Sequence, residues 1–265
     1  NPIVVSLVAN WPLRPFCWIA AGVVVGLWVP AGAVAVQTEV ASLAARKLHV
    51  RSPDWRDQVL YFVMTDRFDD GDPTNNDQGA GEFDPRSNAS YSGGDLKGIA
   101  RRLDYIRGLG ATGVWITPPV ANQWWDSSIG TGGYGGYHGY WTENFRKLDA
   151  HVGTLADYQQ LSHALHSAGM YLVQDIVLNH TGNFFQYTGA WDAKTPARNF
   201  ALTAPAGRLQ APSQWPFSMN DARNPEHQKA GIYHWTPNVA DYTDPYQERN
   251  FQMSGLDDLN TENPV

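Results

Sequence analysis

Met170-Tyr171-Leu172-Val173-Gln174-Asp175-Ile176-Val177-Leu178-Asn179-His180 is a short apolar run that ends in polar side chains. Its length and bounding residues predict a buried strand over 170–178, with Asn179 and His180 at the strand's exit. Gly169 separates it from a helical pattern, in which Leu155, Tyr158, Leu161 and Leu165 share one face behind the N-cap residue Thr154. Further upstream, Gly113-Val114-Trp115-Ile116 predicts a second strand, stopped by Pro118-Pro119. Leu96, Ile99, Leu103, Ile106 and Leu109 carry helical spacing, and Gly110 ends that helix. Val59 to Met64 predicts the first strand. Strand, helix, strand, helix, strand at this spacing predicts an α/β fold with a parallel sheet and right-handed crossovers. A (β/α)8 barrel and a doubly wound sheet both fit. No glycine fingerprint for a dinucleotide or phosphate follows any strand, which favours the barrel.

The regularity fades beyond Thr181. Residues 182–258 are rich in Pro, Asn, Asp and aromatics, too long for a bare loop, and read as a small subdomain inserted after the third strand. Residues 259–265 would return toward a fourth strand. At the other end, residues 1–35 read as a signal peptide: an almost wholly apolar run follows Arg14, and Ala33-Val34-Ala35 forms an A-x-A cleavage pattern. Residues 36–56 would be a linker and 57–181 the first part of the barrel. The only cysteine, Cys17, falls in the leader, so intramolecular disulfides are not expected in the mature chain. These features predict a secreted or periplasmic bacterial protein without stable membrane association. The net charge of −7 argues against nucleic acid as a partner.

Function should collect where strands end and loops begin. After the first strand, Asp70, Asp72, Asn75 and Asn76 form an oxygen-rich loop, either a cation site or a plain Asx turn. The Gly-rich loop over 121–144 ends in Tyr137-His138-Gly139-Tyr140-Trp141, either a sugar-contacting wall or a packed loop. With 11 Trp and 12 Tyr, flat rings are plentiful, and Trp124-Trp125 in a polar, Gly-rich stretch is hard to place in a core. Asp175 is read as a charge inside a buried strand, which requires a partner.

Asp175 to His180 resembles the first conserved region of the α-amylase family, glycoside hydrolase family 13. Gly255-Leu256-Asp257-Asp258-Leu259-Asn260, Thr65-Asp66-Arg67-Phe68 and Tyr137 to Trp141 also resemble that family, in its order, over about 57–264. The resemblance implies a (β/α)8 barrel with a domain B inserted after strand three, and retaining action on α-1,4-glucans such as starch and maltodextrins. It implies that His138 and His180 hydrogen-bond the sugar, that Tyr140 stacks on it, that Trp141 supports the stack, and that Asp175 braces the site. It implies two Ca2+ sites: one at Asn179 and Asp258, the other at Asp70, Asp72, Asn75, Asn76, Gly93 and Asp95. The family's nucleophile and acid/base follow later strands, so no catalytic acid is assigned among these residues. The 265 residues alone are expected to be inactive, with an open apolar sheet edge. The complete protein is expected to be a monomer. Two alternatives stay open: a cyclodextrin-forming or other glucanotransferase, and a non-catalytic glucan-binding protein.

Overall fold

The computed structural model describes residues 50–128, 132–203 and 211–264. The signal-peptide expectation over 1–35 and most of the 36–56 linker lie outside the described residues. Three strands, β1 (Leu60–Val63), β2 (Gly113–Ile116) and β7 (Tyr171–Gln174), form one parallel sheet in the order β1-β2-β7. The register pairs Leu60 with Gly113 and Gly113 with Tyr171. A barrel and a doubly wound sheet can both begin this way; the sheet described here is not closed.

Between β1 and β2 the chain forms α1 (Leu96–Arg101) and α2 (Leu103–Gly108). The single helix expected over 96–109 is therefore two. The break falls at Arg102, whose backbone leaves the helical range. There Arg101 and Arg102 both ion-pair with Asp69. Asp95 caps α1 by accepting Gly98 N–H at 2.6 Å. Between β2 and β7 lies α3 (Leu155–Ser167), opened by a capping box in which Thr154 and Asp157 satisfy each other's backbone.

One sheet face packs on these helices through Val63, Val114, Ile116, Leu96, Ile99, Ile106, Leu161 and Leu165. Full burial of a leucine such as Leu161 contributes about 2 kcal/mol. On the opposite face Leu60, Phe62 and Trp115 are exposed among the described residues, and Phe62 meets Trp115 edge-on at 5.1 Å. Beyond β7, Ile176 and Leu178 are 55% and 59% exposed. Apolar residues on both faces of a strand are what a barrel wall needs, with helices outside and packed side chains within.

Two further expectations are corrected. The third strand ends at Gln174, not Leu178, so Asp175 lies just past it and is half-buried rather than enclosed. The stretch 121–144 is not plain loop. It holds β3 (Val120–Asn122), β4 (Trp125–Asp126), β5 (Tyr134–Gly135) and the start of β6 (Thr142–Leu148), paired antiparallel as β3 with β6 and β4 with β5. Short strands split by bulges and aromatics carry no clear period, which is why the sequence conceals them.

The inserted stretch has its own small core. Strands β8 (Phe185–Tyr187) and β9 (Phe200–Leu202) pair antiparallel, and Phe185, Phe200, Ala222, Ile232, Tyr233 and Leu259 pack together. Two short helices, α4 (Pro225–Ala230) and α5 (Pro245–Asn250), each start with Pro behind an Asn or Asp cap. Its two ends meet: Thr181 N–H donates to Asp257 O at 3.0 Å, and His180 pairs with Asp258 in an antiparallel bridge. The fully buried Asp257 accepts Phe184 and Phe185 N–H groups, and burial pushes its carboxyl well above the usual range.

Candidate sugar wall and cation cradle

The C-terminal end of β7 faces the loop that precedes β6. Tyr140 Oη donates to Asp175 Oδ2 at 2.9 Å, which supplies the partner Asp175 required. Burial and this bond push the Tyr140 phenol up to about 12. His138 stacks on Tyr140 at 5.7 Å and meets Trp141 edge-on at 4.7 Å. Its Nδ1 accepts Tyr140 N–H at 3.0 Å, so the ring proton of the neutral imidazole sits on Nε2, which is left as the donor. Burial, then the positive Arg67 and neighbouring His180, pull the His138 imidazole down to about 4, so it is neutral at pH 7.

Trp141 is buried beneath this pair, and its backbone N–H donates to Asn122 Oδ1 at 2.9 Å. His180 is 6% exposed, and its Nε2 donates to Tyr140 O at 3.1 Å. The structure thus brings His138, Tyr140, Trp141, Asp175 and His180 together. Here His180 holds the backbone of Tyr140, whereas His138 Nε2 meets no hydrogen-bond acceptor among the described residues. Arg67, within the Thr65–Phe68 motif, lies 3.6 Å over the Tyr137 ring, a contact the sequence did not reveal. The Trp124-Trp125 pair is half-buried, and Trp124 Nε1 donates to Asp149 at 3.0 Å, which anchors the Trp124 indole.

The first loop holds a different kind of chemistry. Asp70 Oδ1, Asn75 Oδ1 and Asn76 Oδ1 are buried with no hydrogen-bond partner among the described residues. Such oxygens are costly to leave empty and suit a hard cation. Asp70 Oδ2 accepts Asn76 Nδ2 at 2.7 Å, which ties two of them into one cluster. Gly93 adopts φ 95°, and any side chain there would collide with the Asn76 amide. Asp95 is fully buried and receives Gly71 N–H, Asp72 N–H and Asn75 Nδ2; burial raises its carboxyl. Gly98 lets α1 approach the Asp69 carbonyl closely. The Asp72 side chain turns to Lys97 and Thr74, whose bonds lower it to about 2, so it faces a neighbouring cation of the protein itself. Among the described residues no three His, Cys, Asp or Glu side chains form a metal cluster. The donor set here is carboxamide and carboxylate oxygen, which suits calcium and not a thiolate- or imidazole-seeking metal.

Asn179 and Asp258 are also brought together, across 79 residues. Asp258 is 3% exposed; its Oδ1 accepts Asn179 Nδ2 at 3.4 Å and its Oδ2 accepts His234 Nδ1 at 2.6 Å. His234 carried no sequence signal, because it lies in an aperiodic stretch. Both carboxylate oxygens are thus met by nitrogen donors of the protein.

Comparison with known proteins agrees with this architecture. Residues 62–265 match the α-amylase catalytic-domain family. The cyclomaltodextrin glucanotransferase of Klebsiella oxytoca is 33% identical over 79% of this chain and 29% of its own length. The periplasmic α-amylase of Escherichia coli is 38% identical over 49% of the chain and 20% of its own length. The chain therefore spans less than a third of these relatives. Among solved structures, an Anoxybacillus α-amylase aligns with TM-score 0.56 at 31% identity, over 80% of this chain and 36% of that one. The α-amylase of Geobacillus thermoleovorans, complexed with acarbose, aligns with TM-score 0.53 at 30% identity, over 80% of this chain and 35% of that one. The three parallel strands are thus part of a (β/α)8 barrel, and the chain belongs to the α-amylase family, glycoside hydrolase family 13.

Proposed function

We propose that the full natural protein hydrolyses α-1,4-glucans with retention, and that these residues supply its sugar wall and a calcium cradle. The observation that carries this reading is the His138–Tyr140–Trp141 stack tied to Asp175 at the end of β7. A flat ring beside a neutral imidazole with an N–H to donate suits a pyranose, which offers an apolar face and a rim of hydroxyls. Retaining hydrolysis further needs two carboxylates about 5 Å apart. Asp175 is committed to Tyr140 and Asp258 to His234, so neither is assigned that work.

Calcium, when bound in the first loop, would be held by Asp70, Asn75 and Asn76, whose side-chain oxygens are to spare, while Asp95, with both carboxylate oxygens taken by nitrogen donors, shapes the turn with Asp72 and Gly93. It would cross-link the loop after β1 and so stiffen one rim of the site. A second calcium at Asn179 and Asp258 requires the Asn179 amide and His234 Nδ1 to turn away from Asp258. Export to the periplasm or beyond fits the named location of the Escherichia coli relative.

A second reading, glucan transfer, draws on the Klebsiella relative, a cyclomaltodextrin glucanotransferase. The test is product analysis of the full natural protein with soluble starch. Linear malto-oligosaccharides released as the α-anomer support hydrolysis with retention. Cyclodextrins as the main product would transfer the assignment to the second reading. No product and no binding would leave neither standing.

A further inference from the structure

Behind the aromatic wall, two carboxylates close on one imidazole. His151 Nδ1 lies 2.7 Å from Asp149 Oδ1 and its Nε2 3.1 Å from Glu82 Oε1, with all three side chains 2% exposed or less. With both carboxylates ionised, both partners are acceptors, both ring nitrogens carry hydrogen and the ring is an imidazolium. Tyr91 stacks on it at 3.8 Å and Trp124 meets its edge at 5.2 Å.

The triad reaches in two directions. Glu82 accepts the N–H groups of Gln78 at 2.6 Å and Ala80 at 2.7 Å, so it fixes the loop that follows the calcium cradle. Asp149 Oδ2 accepts Asn122 N–H at 2.9 Å and Trp124 Nε1–H at 3.0 Å. Asn122 Oδ1 then accepts Trp141 N–H at 2.9 Å, and Gln123 N–H donates to Trp141 O at 2.8 Å. A continuous set of bonds therefore joins Glu82 to the backbone beside Tyr140.

We propose that Glu82, His151 and Asp149 form a charged positioning device, in which the His151 imidazolium holds the Trp141–Tyr140 wall in its glucan-binding place and releases it on losing its proton. This rests on the glucan reading of the wall. The geometry favours the role because the burial of three ionisable groups is costly, and is sustained only while each is paired. Removing the ring proton would leave two buried carboxylates facing an uncharged ring. The remaining groups around the ring are Tyr91, buried with its phenol held well up, and Asp66, which is 3% exposed and paired with Arg67 at 3.4 Å. Asp66 adds further negative charge and so supports the imidazolium.

Burial pulls the His151 imidazole down, but the bonds to Asp149 and then Glu82 outweigh it and raise it above the ordinary value. The folded value then exceeds the unfolded one. The triad's stabilisation is complete below the ordinary histidine value of about 6.5 and is lost as pH rises through the folded value.

The test uses the full natural protein, His151→Gln and Glu82→Gln, with KM and kcat for a maltodextrin measured from about pH 6 to about pH 10, a range that starts below the ordinary histidine value. In the unaltered protein KM is expected to rise about tenfold on the alkaline side, equivalent to about 1.4 kcal/mol of binding. His151→Gln should show the raised KM throughout, with no further alkaline rise and a smaller change in kcat. Glu82→Gln should move the rise to lower pH, since one carboxylate no longer supports the ring. A KM–pH profile in Glu82→Gln that coincides with the unaltered protein's overturns the proposal, even if His151→Gln fails to fold. If the unaltered protein acts on no α-glucan, the functional reading alone fails. Near-ultraviolet circular dichroism then decides the triad: an alkaline change in the aromatic signal, shifted to lower pH in Glu82→Gln, upholds it, and an unshifted or absent change sinks it.

Discussion

The loop after β1 and the junction at the foot of the inserted domain are both rich in Asp and Asn, yet they finish differently. In the loop, three side-chain oxygens are buried without partners among the described residues. At the junction, both oxygens of Asp258 are met by nitrogens from Asn179 and His234. The first has oxygen to spare even after its pairs with Lys97 and Arg101; the second supplies a donor for each carboxylate oxygen from within the chain. Residue composition alone would rate the two alike. What separates them is whether folding brings a donor to every buried side-chain oxygen.

The sharpest way to break this comparison is at the junction, where the largest loss is expected. Asp258→Ala in the full natural protein removes the acceptor for His234 and Asn179 and should cost about 3 kcal/mol, the scale for breaking a buried pair. Urea unfolding midpoints with calcium and with a chelator measure it. If the junction is closed by the protein's own nitrogens, the loss is equal in both conditions. A loss present only with calcium would mean that the junction is a cation site too, and the contrast with the loop would vanish.

The loop should behave in the opposite way. A cation that binds only the folded state at about a hundredfold excess over its Kd contributes about 2.7 kcal/mol. Calcium should therefore raise the melting temperature of the full natural protein, and a chelator should reverse the gain. Asn76→Ala removes one orphaned oxygen and should abolish most of the calcium-dependent part. Lys97→Ala should keep that part, because Lys97 pairs with the outward-turned Asp72. An equal response in both variants would return the loop to a plain Asx turn.

The same contrast explains what the sequence could and could not convey. The parallel sheet was legible because Leu161, Leu165, Val114 and Ile116 face one core with regular spacing. The wall residues were legible as a group because His138, Tyr140 and Trp141 are neighbours in sequence, and Asp175 because a charge beside an apolar run demands a partner. Pattern alone overstates the third strand: the run to Leu178 continues apolar, but the ladder of β7 ends at Gln174. The pairing of His151 with Glu82 spans 69 residues and crosses an aperiodic loop, so no local pattern announces it. His234 reaches Asp258 in the same manner, across 24 residues of inserted domain. Long-range polar pairs leave no period; apolar faces do.

The smallest effect is expected where the two modes meet, at Tyr140 and Asp175. Their bond of 2.9 Å is partly open to water, unlike the junction around Asp258. Tyr140→Phe deletes one donor and leaves Asp175 able to hydrate, so the loss of stability should be about 1 kcal/mol or less. The ring itself remains, and with it the stack on His138. Binding of a maltodextrin should therefore weaken only a few-fold, while Tyr140→Ala, which removes the stacking face, should weaken it far more. Comparing KM across the two variants separates the ring from its hydroxyl. Should Tyr140→Phe lose as much as Tyr140→Ala, the hydroxyl and Asp175 would be the binding determinants, and the wall would act through polar pairing in place of an aromatic face.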